Sequence, residues 1–113
     1  MSKLAKKLAQ AQLDAYNSQD IEAFLAQYSE DVTVLNFPTN SVVYTGKEAM
    51  RERYTKLFKE NPNNHAELLS RIVKENIIID QEFVTGRANG IEVDAIAIYG
   101  VKNEKISKVW FVK

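Results

Sequence analysis

Apolar residues recur at helical spacing in three segments of the first half of the chain. These segments span residues 4–16, 21–28 and 50–58, and their period predicts three amphipathic helices. Residues 17–20 supply cap-forming side chains between the first two helices. Thr45-Gly46-Lys47-Glu48 matches a capping box before the third helix, which Asn61-Pro62 ends.

The other segments have the composition and alternation of β-strands. Residues 31–37 predict an edge-type strand that ends before Pro38, and residues 42–45 predict a short extended piece. After Pro62 the alternation predicts four strands near residues 65–74, 77–86, 91–101 and 105–112, joined by short connections that require antiparallel hairpins. The predicted fold class is α+β, with three N-terminal helices packed on a mostly antiparallel sheet. The 113 residues fit one domain, 1–113.

Three acidic residues interrupt two of these otherwise apolar strands. Asp80 and Glu82 lie in the segment 77–84, and Asp94 lies in the segment 91–99. An ionised carboxylate that faces a core costs several kcal/mol unless it is paired, hydrogen-bonded or neutralised. The pattern therefore predicts either a buried polar network or a pocket with a polar floor.

Charge and residue types exclude several classes of function. Fifteen basic residues balance fifteen acidic ones, so we expect no binding to nucleic acid or to a membrane surface. The chain has no cysteine and one histidine, His65, which excludes thiolate and multi-histidine metal sites. Residues 1–8 are basic without a continuous apolar stretch, which predicts a helix and not a signal peptide. Without a long apolar run, a cytoplasmic location is the default expectation.

Several strings resemble the nuclear-transport-factor-2-like superfamily, in its SnoaL-like and ketosteroid-isomerase-like branch. The resemblance covers nearly the whole chain and rests on residues 15–24, 28–34, 44–50, 97–101 and 105–111. It implies a cystatin-like α+β roll in which a curved sheet and helices enclose a cone-shaped apolar pocket. It also implies a homodimer formed through the outer face of the sheet, for which Phe83, Val93, Tyr99 and Val109 are the expected outward residues. The reaction stays open, because this superfamily includes enzymes of several classes and non-catalytic binding domains.

Ketosteroid isomerases use an aspartate base together with a tyrosine and a protonated aspartic acid that bind the oxyanion. The resemblance places Gln12 at the tyrosine and Asn36 at the base. The protonated acid falls near Ile96, with Asp94 one position along on the same face. An amide cannot remove a proton from carbon, so the ordinary ketosteroid isomerase mechanism is not expected.

The resemblance also implies that Asp80 and Glu82 face the interior, which strand alternation alone does not decide. Arg71 is expected near the carboxylates of the neighbouring strands, where it would hold their orientation. Arg71, Glu82 and Asp94 could then imitate the Asp-Arg-Asp group of limonene-epoxide-hydrolase-like relatives, although the spacing differs. Each of these charges could instead belong to a structural ion network.

The sequence therefore predicts a small soluble domain that binds a modest hydrophobic organic molecule. The candidate catalytic residues are Asp94, Glu82, Arg71 and His65, with Glu82 or Asp94 as base in a cofactor-free isomerase, cyclase or hydrolase reaction. No metal or other cofactor is expected. The alternative is a non-catalytic binding or dimerisation module. The candidate ligand-binding residues are Gln12, Tyr16, Tyr28, Asn36, Tyr44, Tyr54, Asp80 and Trp110.

Overall fold

A computed structural model of the protein describes residues 2–113. It contains the helices α1 (Ser2–Ser18), α2 (Ile21–Leu25) and α3 (Lys47–Glu60) and the strands β1 (Tyr28–Asn36), β2 (Val42–Thr45), β3 (His65–Lys74), β4 (Ile77–Thr85), β5 (Val93–Lys102) and β6 (Lys105–Val112). The predicted α+β class, with three helices on a curved sheet, is confirmed. Within residues 2–113, no helix is long and apolar enough to cross a membrane.

The six strands form one sheet in the order β2-β1-β6-β5-β4-β3. Strands β3 to β6 form the predicted antiparallel meander. The sequence did not predict that β1 and β6 pair in parallel, with Val34 opposite Val109 and Asn36 opposite Phe111. This pairing brings the first long strand and the last strand to the middle of the sheet, so both ends of the fold contribute to one interior.

The helices cover one face of the sheet and form with it one large core and a smaller cluster of Leu13, Ala66 and Val84. Helix α1 contacts β3, β4, β5 and β6, and α3 contacts β1 and β2. The apolar stripes predicted for the helices supply Leu8, Phe24 and Met50, which meet inward-facing strand residues such as Ile78 and Ile106. Burial of these side chains stabilises the fold by about 25 cal/mol per Å² of apolar surface removed from water.

Four local predictions are wrong. The segment 31–37 is not an edge-type strand, because β1 pairs with β2 on one side and with β6 on the other. Tyr28 begins β1 and is not part of the second helix. The capping box before α3 does not form, because Gly46 is the N-cap, with φ +95°, and no side chain caps the helix. Strand β5 begins at Val93, two residues later than predicted, and leaves Ile91 exposed in the preceding loop.

A β-bulge in β3 decides which residues of that strand face the helices. The register against β4 shifts between Leu68 and Ser70, so that Leu68 pairs with Glu82 and Arg71 pairs with Asp80. A bulge inserts one residue and reverses the alternation beyond it. Arg71 therefore lies on the inner face, whereas His65 lies outside, although simple alternation places both on the same face.

Candidate functional site

A cavity of about 450 Å³ lies between the helices and the inner face of the sheet. Its volume is within the range of small-molecule sites in proteins. Side chains from all three helices and from β1, β2, β4, β5 and β6 line it, together with Arg87 of the β4–β5 loop and Lys113 after β6. Six of the predicted ligand-binding residues line this cavity, namely Gln12, Tyr16, Tyr28, Asn36, Tyr44 and Tyr54.

Glu82 is the only acidic residue among those that line the cavity within residues 2–113. It lies on β4 between Leu68 of β3 and Ala95 of β5. Glu82 is 9% exposed. Its carboxyl group has no hydrogen-bond partner within residues 2–113. Burial, followed by the nearby charge of Asp80, raises the pKa of Glu82 from 4.5 to about 7, and Arg71 opposes the rise. A carboxyl group with this pKa can act as either acid or base near neutral pH.

Gln12 connects two tyrosines at the inner end of the cavity. Its Nε2 donates to the carbonyl oxygen of Ala9 at 3.0 Å and to the hydroxyl of Tyr99 at 3.0 Å, and its Oε1 accepts from the hydroxyl of Tyr28 at 3.0 Å. The Ala9 carbonyl can only accept, which fixes the orientation of the amide. The Tyr28 hydroxyl therefore donates its hydrogen bond to Gln12. The hydroxyl proton of Tyr99 has no assigned acceptor within residues 2–113. Tyr99 also lines the cavity.

Aromatic rings form the wall opposite the sheet. The Phe24 ring lies 4.6 Å from the Tyr54 ring and 6.2 Å from the Tyr16 ring, between centroids. The Tyr44 hydroxyl is buried without a hydrogen-bond partner in residues 2–113, and although the Tyr54 hydroxyl is near, the geometry is not that of a hydrogen bond. Burial raises the pKa of Tyr44 to about 12, so its hydroxyl stays protonated and can donate to a ligand.

Arg71 pairs with Asp80 and not with the other two predicted carboxylates. Nε and Nη2 of Arg71 donate to Oδ1 and Oδ2 of Asp80 at 2.7 and 2.9 Å, and Nη1 donates to Oε1 of Gln10 at 2.8 Å. The Asp80 side chain is fully buried and does not line the cavity. The prediction that Asp80 faces inward is confirmed, but its carboxylate is held by Arg71 and lies away from a ligand. The predicted cluster of Arg71, Glu82 and Asp94 does not form.

Three predicted site residues lie on the other face of the sheet. Asp94 is exposed because β5 turns Ala95, Ala97 and Tyr99 inward, so the expectation that Asp94 faces the interior is wrong. His65 is exposed at the start of β3. Trp110 pairs with Ile98 on the outer face, where its Nε1 donates to Oδ1 of Asn40. None of the three lines the cavity.

The outward placement of Val93, Tyr99 and Val109 is also wrong. Val93 and Tyr99 line the cavity, and Val109 lies in the core. The alternation on β5 was misread because its inner residues are two alanines and a tyrosine, while its outer residues Ile96 and Ile98 are large and apolar. Of the four expected outward residues, Phe83 alone lies on the outer face.

Basic residues at the mouth of the cavity were not identified from the sequence. We define the mouth by Arg53, Arg87 and Lys113, which line the cavity but are exposed or half-buried. They come from α3, from the β4–β5 loop and from the segment after β6. No local pattern indicates that three such distant positions meet. Within residues 2–113, no group of three His, Asp or Glu side chains could hold a metal ion.

Residues 9–109 match the family model described as the SnoaL-like domain. A cystatin-fold protein from Novosphingobium aromaticivorans is 29% identical, with a TM-score of 0.87 over 100% of this chain and 99% of that chain. A SnoaL-like protein from Burkholderia thailandensis is 15% identical, with a TM-score of 0.81 over 99% and 95% of the two chains. A protein provisionally described as a polyketide cyclase from Sinorhizobium meliloti is 19% identical, with a TM-score of 0.79 over 94% of each. No curated protein matches the sequence significantly.

Proposed function

The chain belongs to the SnoaL-like domain family, and on that premise we propose that its cavity binds a modest hydrophobic organic molecule on which Glu82 transfers a proton. The observation that carries this proposal is the carboxyl group of Glu82. It faces a cavity of about 450 Å³, lacks a hydrogen-bond partner in residues 2–113 and has a pKa near 7. A group that served only the fold would be paired, as Asp80 is.

The hydroxyl groups of Tyr99 and Tyr44 support a specific class of reaction. When Glu82 takes a proton from the carbon next to a carbonyl group, the C–H electron pair forms a carbon–carbon double bond and negative charge develops on the carbonyl oxygen. Tyr99 and Tyr44 can each donate a hydrogen bond to such an oxygen. Return of the proton from Glu82 to a different carbon completes an isomerisation. The step requires acid and base groups only.

Hydrogen–deuterium exchange tests this proposal without knowledge of the natural substrate. Incubated with 2-tetralone in D₂O, the wild-type protein should accelerate loss of the α-proton signals in the NMR spectrum of the ketone. Glu82→Gln should reduce the protein-dependent rate by about 10²-fold or more, because general-base catalysis contributes that much. The exposed Asp94→Asn is the matched control and should leave the rate unchanged. Equal rates for the wild type and Glu82→Gln would contradict the role given to Glu82.

The second candidate is a non-catalytic binding domain. The observation that favours it is the Arg71–Asp80 pair, because two of the charges that suggested an active site from the sequence are satisfied by each other and lie away from the cavity. Under this function 2-tetralone would shift the resonances of cavity residues such as Ala95 and Tyr99, but its α-protons would exchange no faster than in buffer. The same NMR experiment therefore separates the two functions.

We also propose that two copies of the chain associate through the outer face of the sheet. Apolar side chains form a continuous row across four strands, because Ile72 pairs with Ile79, Ile79 with Ile98, and Ile98 with Trp110. Ile72 is 58% exposed in the single chain. An apolar row of this extent is typical of a surface that a partner covers, and a two-fold contact would bury it against its own copy.

Sedimentation equilibrium at tens of micromolar tests the dimer. The wild type should show about twice the 12.9 kDa of one chain. Ile98→Lys places a charge in the middle of the row and should yield monomers, because an unpaired buried charge is costly. Ile91→Lys makes the same change in an exposed loop and should leave the dimer intact. A wild-type protein that sediments as one chain would contradict the proposal.

A further inference from the structure

The mouth of the cavity carries a local excess of positive charge. Arg53, Arg87 and Lys113 line it, and Glu82 is the only acidic lining residue within residues 2–113. The whole chain has equal numbers of basic and acidic residues, so the composition does not account for this excess. Glu82 lies in the buried part of the cavity and does not neutralise the exposed cations at the mouth.

Within residues 2–113, none of these three cations forms an ion pair with a carboxylate. The ion pairs of residues 2–113 instead use Lys47, Arg51 and Arg71. The guanidinium of Arg53 lies 4.7 Å from the ring centroid of Tyr44, and the ammonium of Lys113 lies 5.3 Å from that of Phe111. Contact with a ring face holds a cation in place but leaves its charge available.

Arg87 is held in position by a chain of partly buried hydrogen bonds. Its Nε donates to Oδ1 of Asn64 at 2.6 Å, and Nδ2 of Asn64 donates to the Tyr16 hydroxyl at 2.8 Å. The preceding Gly86 has φ +81°, and a Cβ there would lie 1.9 Å from the carbonyl oxygen of Asn63. Glycine thus lets the β4–β5 loop approach the loop before β3. The terminal nitrogens of Arg87 make no hydrogen bond within residues 2–113.

Mutual repulsion at the mouth affects Lys113. Burial, followed by the charges of Arg87 and Arg53, lowers the pKa of its ammonium group. Both guanidinium groups therefore repel the ammonium group of Lys113. A bound anion would relieve this repulsion and would accept hydrogen bonds from donors that the chain itself leaves free.

We propose that the ligand of this cavity is an organic anion, with a hydrophobic body among the aromatic rings and a carboxylate at the mouth bound by Arg53, Arg87 and Lys113. This inference rests on the proposed function only in that the cavity binds a small hydrophobic molecule. It adds the ligand's charge and its orientation. The uncharged end of the ligand lies toward Glu82 and Tyr99, and the anionic end lies toward solvent.

Calorimetric titration with naphthalene-2-acetate and its neutral isostere naphthalene-2-acetamide tests the inference. The wild type should bind the acid about tenfold more tightly than the amide, because a hydrogen bond to a charged group contributes roughly that factor. The difference should shrink as the salt concentration rises. The double variant Arg53→Gln with Arg87→Gln keeps only Lys113 at the mouth and should lose most of the preference for the acid. Arg51→Gln, which removes an exposed arginine of α3 that does not line this cavity, should keep the preference.

The outcomes separate this inference from the proposed function. Equal wild-type affinity for acid and amide would overturn the anion preference and leave binding in the cavity standing. A preference that is undiminished in the double variant would overturn the role of the mouth. If neither compound binds, the cavity does not accept a hydrophobic body of this size, and both the inference and the binding function fail. Both substituted side chains are at least partly exposed, and circular dichroism would verify that the variants are folded.

Discussion

Replacing Arg71 with leucine is expected to lower the free energy of unfolding by about 3 to 5 kcal/mol. Asp80 is fully buried, and both of its oxygens accept hydrogen bonds from Arg71, whose own side chain is 9% exposed. Without the guanidinium, an ionised carboxylate would remain in the interior with no partner. Urea denaturation at pH 7, followed by circular dichroism, measures the loss.

Two further variants show whether the stranded charge is the cause. Adding Asp80→Asn to Arg71→Leu removes that charge and should recover most of the lost stability, since removing both partners of a buried pair costs far less than removing one. Arg51→Leu breaks the pair with Glu22, in which both side chains are substantially exposed, and should cost far less stability than Arg71→Leu. A similar small loss for Arg71→Leu would mean that Asp80 finds water or another donor.

The helices and the strand order of the meander could be predicted because their signals are local. The helical period of residues 4–16 and 50–58, and the short turns after β3 and β5, each constrain only their own neighbourhood. The parallel contact of β1 with β6 could not be read in this way, because it joins segments at opposite ends of the chain. The family resemblance supplied the overall shape that local patterns left open.

The site was only partly predictable, because the face of the sheet on which a side chain lies depends on features that residue types do not encode. On β4, Asp80 and Glu82 were placed inward correctly, with help from the resemblance. On β5 the same reasoning failed for Asp94, since both faces of that strand are apolar and alternation has no polar side to mark the outside. Arg71 reached its expected position only through a bulge in β3 that the sequence does not signal.

The glutamate at the cavity floor should make stability depend on pH. Glu82→Gln is expected to raise the free energy of unfolding by about 3 kcal/mol at pH 8, and by less than about 1 kcal/mol at pH 5. The cause is the rise in its pKa from 4.5 to about 7 on folding. Below pH 4.5, Glu82 is protonated in the folded and unfolded chains alike and imposes no ionic penalty. Glutamine resembles that protonated form at every pH.

The stability difference grows with pH because the unfolded chain releases the Glu82 proton at a lower pH than the folded chain does. Between pH 4.5 and about 7 the unfolded chain loses its proton first, so the wild type becomes less stable relative to Glu82→Gln as the pH rises. Above about pH 7 both states are ionised, and the difference levels off at its full value. Urea denaturation of both proteins at pH 5, 6, 7 and 8 measures this curve. Asp94→Asn, which changes an exposed carboxylate, should run parallel to the wild type.

A constant difference in the free energy of unfolding between the wild type and Glu82→Gln across this pH range would mean that the carboxyl group titrates normally. Its proposed role as acid and base at neutral pH would then lose its physical basis. The expected result has a functional meaning as well. A buried carboxylate that weakens the fold at neutral pH, and that no partner within residues 2–113 compensates, is a group whose removal should stabilise the protein and, under the proposed function, should also slow proton transfer. That opposition between stability and activity is typical of catalytic residues. The exchange experiment with 2-tetralone measures the effect of Glu82→Gln on activity, and the urea denaturation measures its effect on stability.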